Sequence, residues 1–125
     1  MEYPSPQTER RKHPRYQIPE LVIAIPNKSE PHVARIVNIS KGGMAVRYVE
    51  QKDWLGEAKE VDIFVNSGFS MNNIPIEGVR DFNVNDHVSF SIIQERQCCL
   101  QFGDLSPSQE YLLDAFIMKY TAGNS

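Results

Sequence analysis

Two short stretches carry residues able to grip an anion. "ERRKHPRYQIP", Glu9 to Pro19, gathers Arg10, Arg11, Lys12, His13 and Arg15 just ahead of the first hydrophobic run. Pro14 has a fixed φ and biases His13 away from helix, so this arm is expected to be extended or turned. Each arginine presents a planar fork of donors that matches phosphate oxygens and equally the O6 and N7 acceptors of a guanine edge. The second stretch is "VNISKGG", Val37 to Gly43. Asn38 and Ser40, one residue apart at a strand's end, should project from the same face, and both can donate and accept. Gly42 and Gly43 permit positive φ and let another group approach the backbone closely. Taken singly, each stretch also has a plainer reading: a solvated charge run, and a hairpin turn held by a local serine hydrogen bond.

Other chemistry finds little support. His13, His32 and His87 show no metal-site spacing, and no P-loop, GxGxxG or GxSxG is present. Asp81, Asp86, Asp104 and Asp114 are scattered, so no acid–base pair can be assigned, and no enzyme, metal or cofactor is expected. Cys98 and Cys99 are adjacent; on a strand they should face opposite ways and serve packing rather than a disulfide framework. The formal net charge of -3 over 125 residues argues against a protein held on duplex nucleic acid by phosphate neutralisation. It suits a small anionic ligand on one local basic patch. "MEYPSPQTERRKH" has no apolar run, and Leu21 to Ile25 is too short to cross a bilayer, so a cytoplasmic protein without membrane insertion is expected. Without a secretory route, the glycosylation patterns at Asn27 and Asn38 carry no weight.

These residues need a scaffold. "LVIAIP" stops at Pro26, "HVARIVNIS" runs into the "KGG" turn, and "MAVRYVE" sets Met44, Val46 and Tyr48 on one face. "EVDIFVN" does the same with Val61, Ile63 and Val65; "IPIEGVRDFNV" is longer, with Gly78 marking a bend or bulge. "VSFSI" and "CCLQF" follow, the latter grouping Cys98, Leu100 and Phe102. Then Ser106, Pro107 and Gln109 form an N-cap, first-turn proline and capping box. Leu112, Leu113, Phe116, Ile117 and Tyr120 make one helical apolar face, ended by Gly123. Six or seven short strands with regular turns predict an antiparallel barrel with a helix covering an opening or edge. Residues 1–9 should be a disordered tail, 10–17 a flexible N-terminal arm, 18–105 the barrel, 106–120 the helix and 121–125 a second tail. Phe64, Phe82, Phe90 and Phe102 fall in apolar patterns and are expected in the core. Arg35, Arg47 and Arg80 lie on strands, where each could reach a ligand; surface ion pairs are the expectation.

The order and separation of an RxxxR arm (Arg11, Arg15) and an NxSxxG strand end (Asn38, Ser40, Gly43) resemble the PilZ domain, a receptor for the bacterial second messenger cyclic di-GMP. "CCLQFGDLSPSQEYLLDAFI" extends the likeness to the family's last strand and closing helix, so it covers roughly Glu9 to Met118. It implies a six-stranded antiparallel β-barrel, all-β with a C-terminal helix. It also implies that Arg11 and Arg15 hold guanine edges and phosphates while Asn38, Ser40 and Gly43 line the receiving surface. Arg10, just before the pair, is associated in the family with two stacked, intercalated ligand molecules. Cys99 stands where the family commonly has glycine. The implied function is a stand-alone receptor that passes the signal to an unidentified protein partner by rearranging its arm, as a monomer or weak dimer binding no DNA or RNA. The alternatives are a PilZ-like adaptor that binds no nucleotide, and a barrel for single-stranded nucleic acid, which would show aromatics among basic residues on one strand face.

Overall fold

The fold is drawn from a computed structural model in which residues 13–49, 54–66, 68–84 and 95–121 are described. Alternating burial organises the strands. Val22 and Ala24 on β2 (Val22–Pro26), Ile36 and Ile39 on β3 (Ala34–Ile39), and Met44, Val46 and Tyr48 on β4 (Gly43–Val49) all point inward. β5 (Glu60–Val65) adds Val61, Ile63 and Val65; β6 (Ser70–Asn83) adds Met71 and Ile74; β7 (Glu95–Phe102) adds Cys98, Leu100 and Phe102. Period-two patterning puts this set on one side of the sheet, and closing the sheet into a barrel hides it.

The strands run β3-β2-β5-β6-β7-β4, and β4 returns to pair with β3, so six antiparallel strands form a closed barrel. An additional two-residue strand, β1 (Tyr16–Gln17), pairs with the far end of β3, Tyr16 opposite Ile39 and Gln17 opposite Asn38. The last two residues of the segment assigned to the arm are thus tied to the sheet. The ladder between β6 and β7 shifts register between Ile76 and Gly78, the bulge that Gly78 suggested. A second shift lies on β3, between Ile36 and Asn38. "VSFSI", Phe90 and Gly123 fall outside the described residues.

The helix α1 (Pro107–Tyr120) begins as its sequence dictates. Ser106 Oγ accepts from the Gln109 amide at 3.1 Å, while Gln109 Oε1 accepts from the Ser106 amide at 2.9 Å. The Gln109 side-chain amide also donates to the carbonyls of Asn72 and Asn73, pinning the helix start to β6. Leu113, Phe116, Ile117 and Tyr120 are buried; Phe116 stacks on Phe69, and Tyr120 meets Phe69 with its ring tilted. Each such large side chain contributes about 1.5–3 kcal/mol on burial.

Two of the phenylalanines expected in the core are elsewhere. With Val61, Ile63 and Val65 inside, Phe64 between them faces out and is 36% exposed. Phe82 is half-buried on the outer face, opposite Gln97, with the Arg80 guanidinium over its ring at 5.1 Å. Phe102 is in the core.

Toward one end of β4, β6 and β7 the Tyr48 hydroxyl donates to Asp81, and Arg96 Nε donates to the same carboxylate at 2.8 Å. Burial, reinforced by the Asp81 hydrogen bond, pushes the Tyr48 phenol up to about 12. Burial, with the Asp81 charge second, also pushes the Cys98 thiol up to about 12. Both groups are held neutral in the fold, whereas the unfolded chain releases their protons from about pH 9 and 10. Their contribution is therefore complete below pH 9 and is lost as pH rises toward 12. Urea midpoints should hold level up to about pH 9 and then fall. Cys98→Ala, less stable at neutral pH, should begin its fall about one pH unit later; superimposable profiles would contradict this.

Candidate ligand-binding site

The candidate residues converge on the outer face of the barrel where the β3–β4 turn meets β1. Ile39 is buried, so its neighbours Asn38 and Ser40 both lie on the outer side, as their spacing predicted. Ser40 is only 6% exposed because its hydroxyl is turned into the hairpin. Its Oγ accepts from the amides of Gly42 at 3.1 Å and Gly43 at 3.2 Å, and its own amide donates to the Gly43 carbonyl at 2.8 Å. The plainer reading of "ISKGG" as a serine-held turn is thus realised, and that turn is one wall of a cavity.

Neither glycine of the turn uses positive φ, although glycine would permit it. Close approach is what requires them. A Cβ on Gly43 would sit 2.2 Å from the Leu100 carbonyl oxygen, and one on Gly42 would sit 3.1 Å from His13 Cδ2. His13 therefore lies over the turn, and the chain that follows it crosses the face. Arg15 Nη1 donates to Asn38 Oδ1 at 3.2 Å, which brings the basic stretch and the strand end into direct contact. Asn38 is neutral, so this bond orients the guanidinium without cancelling its charge.

Arg15, Ser40, Gly42 and Gly43 line a cavity of about 630 Å³, and β6 and β7 complete it with Arg80, Cys99 and Gln101 among others. That volume is within the ~300–1,000 Å³ of small-molecule sites. The hollow arises from small residues in cross-strand register: Gly43 and Gly78 both pair with Gln101, and Cys99 pairs with Ala45 on one side and Arg80 on the other. Cross-strand partners point to the same side. Arg80 thus lines the cavity from β6; it makes no ion pair with a described residue, and its guanidinium lies over the Phe82 ring. No sequence pattern marks Cys99 and Gln101 as site residues; only the register across β4, β7 and β6 places them there. Cys98 and Cys99 face opposite ways as expected, Cys98 in the core and Cys99 half-buried on the cavity.

Asn38 itself lines a smaller adjoining cavity of about 330 Å³ with Gln17, Arg35, Arg47 and Gln97. Arg10 and Arg11 lie outside the described residues. Among the described residues no group of histidine, cysteine, aspartate and glutamate could hold a metal ion. None of their helices is long and apolar enough to cross a membrane.

A closed six-stranded barrel with a helix after its last strand, and a cationic segment crossing an NxSxxG turn, define the class. The chain belongs to the PilZ domain family, whose model matches residues 9–119. Among solved structures it is similar to the PilZ domain with c-di-GMP of YcgR from Escherichia coli, with TM-score 0.63 and 18% identity over 89% of this chain and 91% of that one. It is also similar to the K. pneumonia MrkH–c-di-GMP complex, with TM-score 0.63 and 13% identity over 87% of this chain. A further MrkH structure, described as a c-di-GMP-dependent transcription regulatory factor, gives TM-score 0.61 and 16% identity over 87% of this chain. This chain spans about half the length of MrkH, 51% and 50% in the two structures. Identities this low establish a shared fold. No curated protein matches the sequence.

Proposed function

We propose that this protein is a receptor for cyclic di-GMP and holds it in the cavity between Arg15 and the β3–β4 turn. The observation that carries the reading is the contact of Arg15 with Asn38 beside a cavity that Arg15 shares with Ser40, Gly42 and Gly43. Cyclic di-GMP offers two phosphodiester charges and two guanines. Arg11 and Arg15 pair with guanine edges and phosphates, as bidentate forks do. Asn38 supplies a directional acceptor and donor. Ser40 holds the turn so that Gly43 leaves room for the ligand at the cavity wall, and Arg80 adds a second guanidinium from β6.

Family membership and the c-di-GMP held by the YcgR and MrkH domains support the ligand class. The role is binding rather than catalysis, carried out in the cytoplasm, with the ligand-dependent position of the arm read by a protein partner. Arg10 brings a second, intercalated ligand molecule. Isothermal titration calorimetry of the full chain tests both levels. Heat of binding at tens of micromolar ligand is expected, with two molecules per chain, and Arg10→Leu should lower that ratio to one. A folded protein giving no heat overturns the receptor reading; a wild-type ratio of one overturns only the second molecule.

A further inference from the structure

On the same outer face, one row beyond Asn38, two arginines stand directly opposite each other: Arg35 on β3 pairs in register with Arg47 on β4. Like charges opposed across a ladder destabilise a sheet. Among the described residues neither arginine forms an ion pair, and Arg47 Nε donates to the neutral Gln97 Oε1 at 2.9 Å. The protein as a whole carries net charge -3, so this pair is a local concentration rather than a share of general basicity.

Arg35 and Arg47 also border a third cavity, of about 540 Å³, whose other walls are largely aliphatic. Leu21 is 62% exposed, Val33 53% and Val49 51%. Ile23 continues the row beside Arg35 and meets the outward Phe64 on β5. Glu95 closes the far end, opposite Val49, so incoming carboxylates are drawn to the arginine end. Two guanidiniums that form no ion pair with a described residue, beside a row of exposed aliphatic side chains, complement one kind of surface: carboxylates interleaved with aliphatic groups.

From this we infer that the Arg35–Arg47 pair and the apolar cavity beside it form a docking surface for an acidic, aliphatic segment of a partner protein. The inference rests on charge complementarity and stands apart from the dinucleotide reading. The two sites touch at one residue, since Asn38 lines the small cavity with Arg35 and Arg47 while accepting from Arg15.

The test uses the full chain without nucleotide and a short fluorescein-labelled peptide of alternating glutamate and leucine, followed by fluorescence anisotropy. Binding is expected that weakens with added salt and falls at least ~10-fold in the Arg35→Glu/Arg47→Glu double variant, as for charges that complement a partner. Arg15→Ala should bind the peptide like the wild type. Failure of the wild type to bind, or equal binding by the double variant or by a lysine–leucine peptide, overturns the inference. Arg35→Gln and Arg47→Gln should each raise the urea midpoint by relieving repulsion; a lowered midpoint would mean the pair is already compensated, which also overturns it. So would a loss of cyclic di-GMP affinity in the double variant as large as that in Arg15→Ala, which would assign the pair to the nucleotide.

Discussion

Arg15→Ala should weaken cyclic di-GMP binding by about 100-fold or more while leaving the fold intact. The guanidinium is oriented by Asn38 at 3.2 Å and lines the 630 Å³ cavity, so it meets the ligand with its geometry already set. A bidentate arginine on a guanine edge is worth about 1–3 kcal/mol of discrimination, and charge-assisted hydrogen bonds to phosphate about 1.5–3 kcal/mol. The sum of one such contact and the lost charge reaches two decades in affinity. Arg15→Lys separates the two parts, because lysine restores charge without the fork and should recover only about tenfold. The urea midpoint should barely move, since surface substitutions away from the core usually stay within about 0.5 kcal/mol. Calorimetry on both variants decides the matter. If Arg15→Ala binds within a few-fold of the wild type, the cavity is not where the dinucleotide goes.

What could be read from the sequence divides by the range of the forces involved. The inward-facing sets on β4, β5 and β7 and the capping box at Ser106 are local patterns, and each is realised. Phe64 departs from its expected place because its position between Ile63 and Val65 fixes it outward, whatever its hydrophobicity. Asn38 and Ser40 were legible as a pair because they flank one core residue, Ile39. The β6 and β7 side of the cavity was not legible. Arg80 meets Cys99, and Cys99 meets Ala45, only through ladders between strands distant in sequence, one of them shifted by the bulge before Gly78. A one-residue change of that register would carry Arg80 to the other face. The opposition of Arg35 and Arg47, twelve residues apart in one hairpin, was hidden by the register shift on β3 between Ile36 and Asn38.

Gly43→Ala should lower unfolding stability by about 3 kcal/mol, the upper part of the overpacking range. The cause is contact alone, since Gly43 does not have positive φ. Its Cβ would lie 2.2 Å from the Leu100 carbonyl oxygen, and that oxygen belongs to the backbone of β7, which cannot rotate aside like a side chain. Relief requires β4 and β7 to separate where Gly43 pairs with Gln101, at the turn through which β3 and β4 close the barrel. The Ser40 hydrogen bonds to Gly42 and Gly43 would be disturbed with them, and with those bonds the wall of the ligand cavity. Gly78→Ala, on β6 at the other side of β7, is the control. A Cβ there would meet Gln101 Oε1 at 2.9 Å, the far end of a flexible side chain that can swing away, and Gln101 Cβ at 3.2 Å, which needs only a small shift, so the change should cost about 1 kcal/mol, well below Gly43→Ala. Urea unfolding of the two variants side by side, with calorimetric titration of whatever folds, measures the difference. Equal stability of Gly43→Ala and Gly78→Ala would show that the two strands can part at the turn without penalty, and no steric demand would then account for a glycine at the end of the NxSxxG segment.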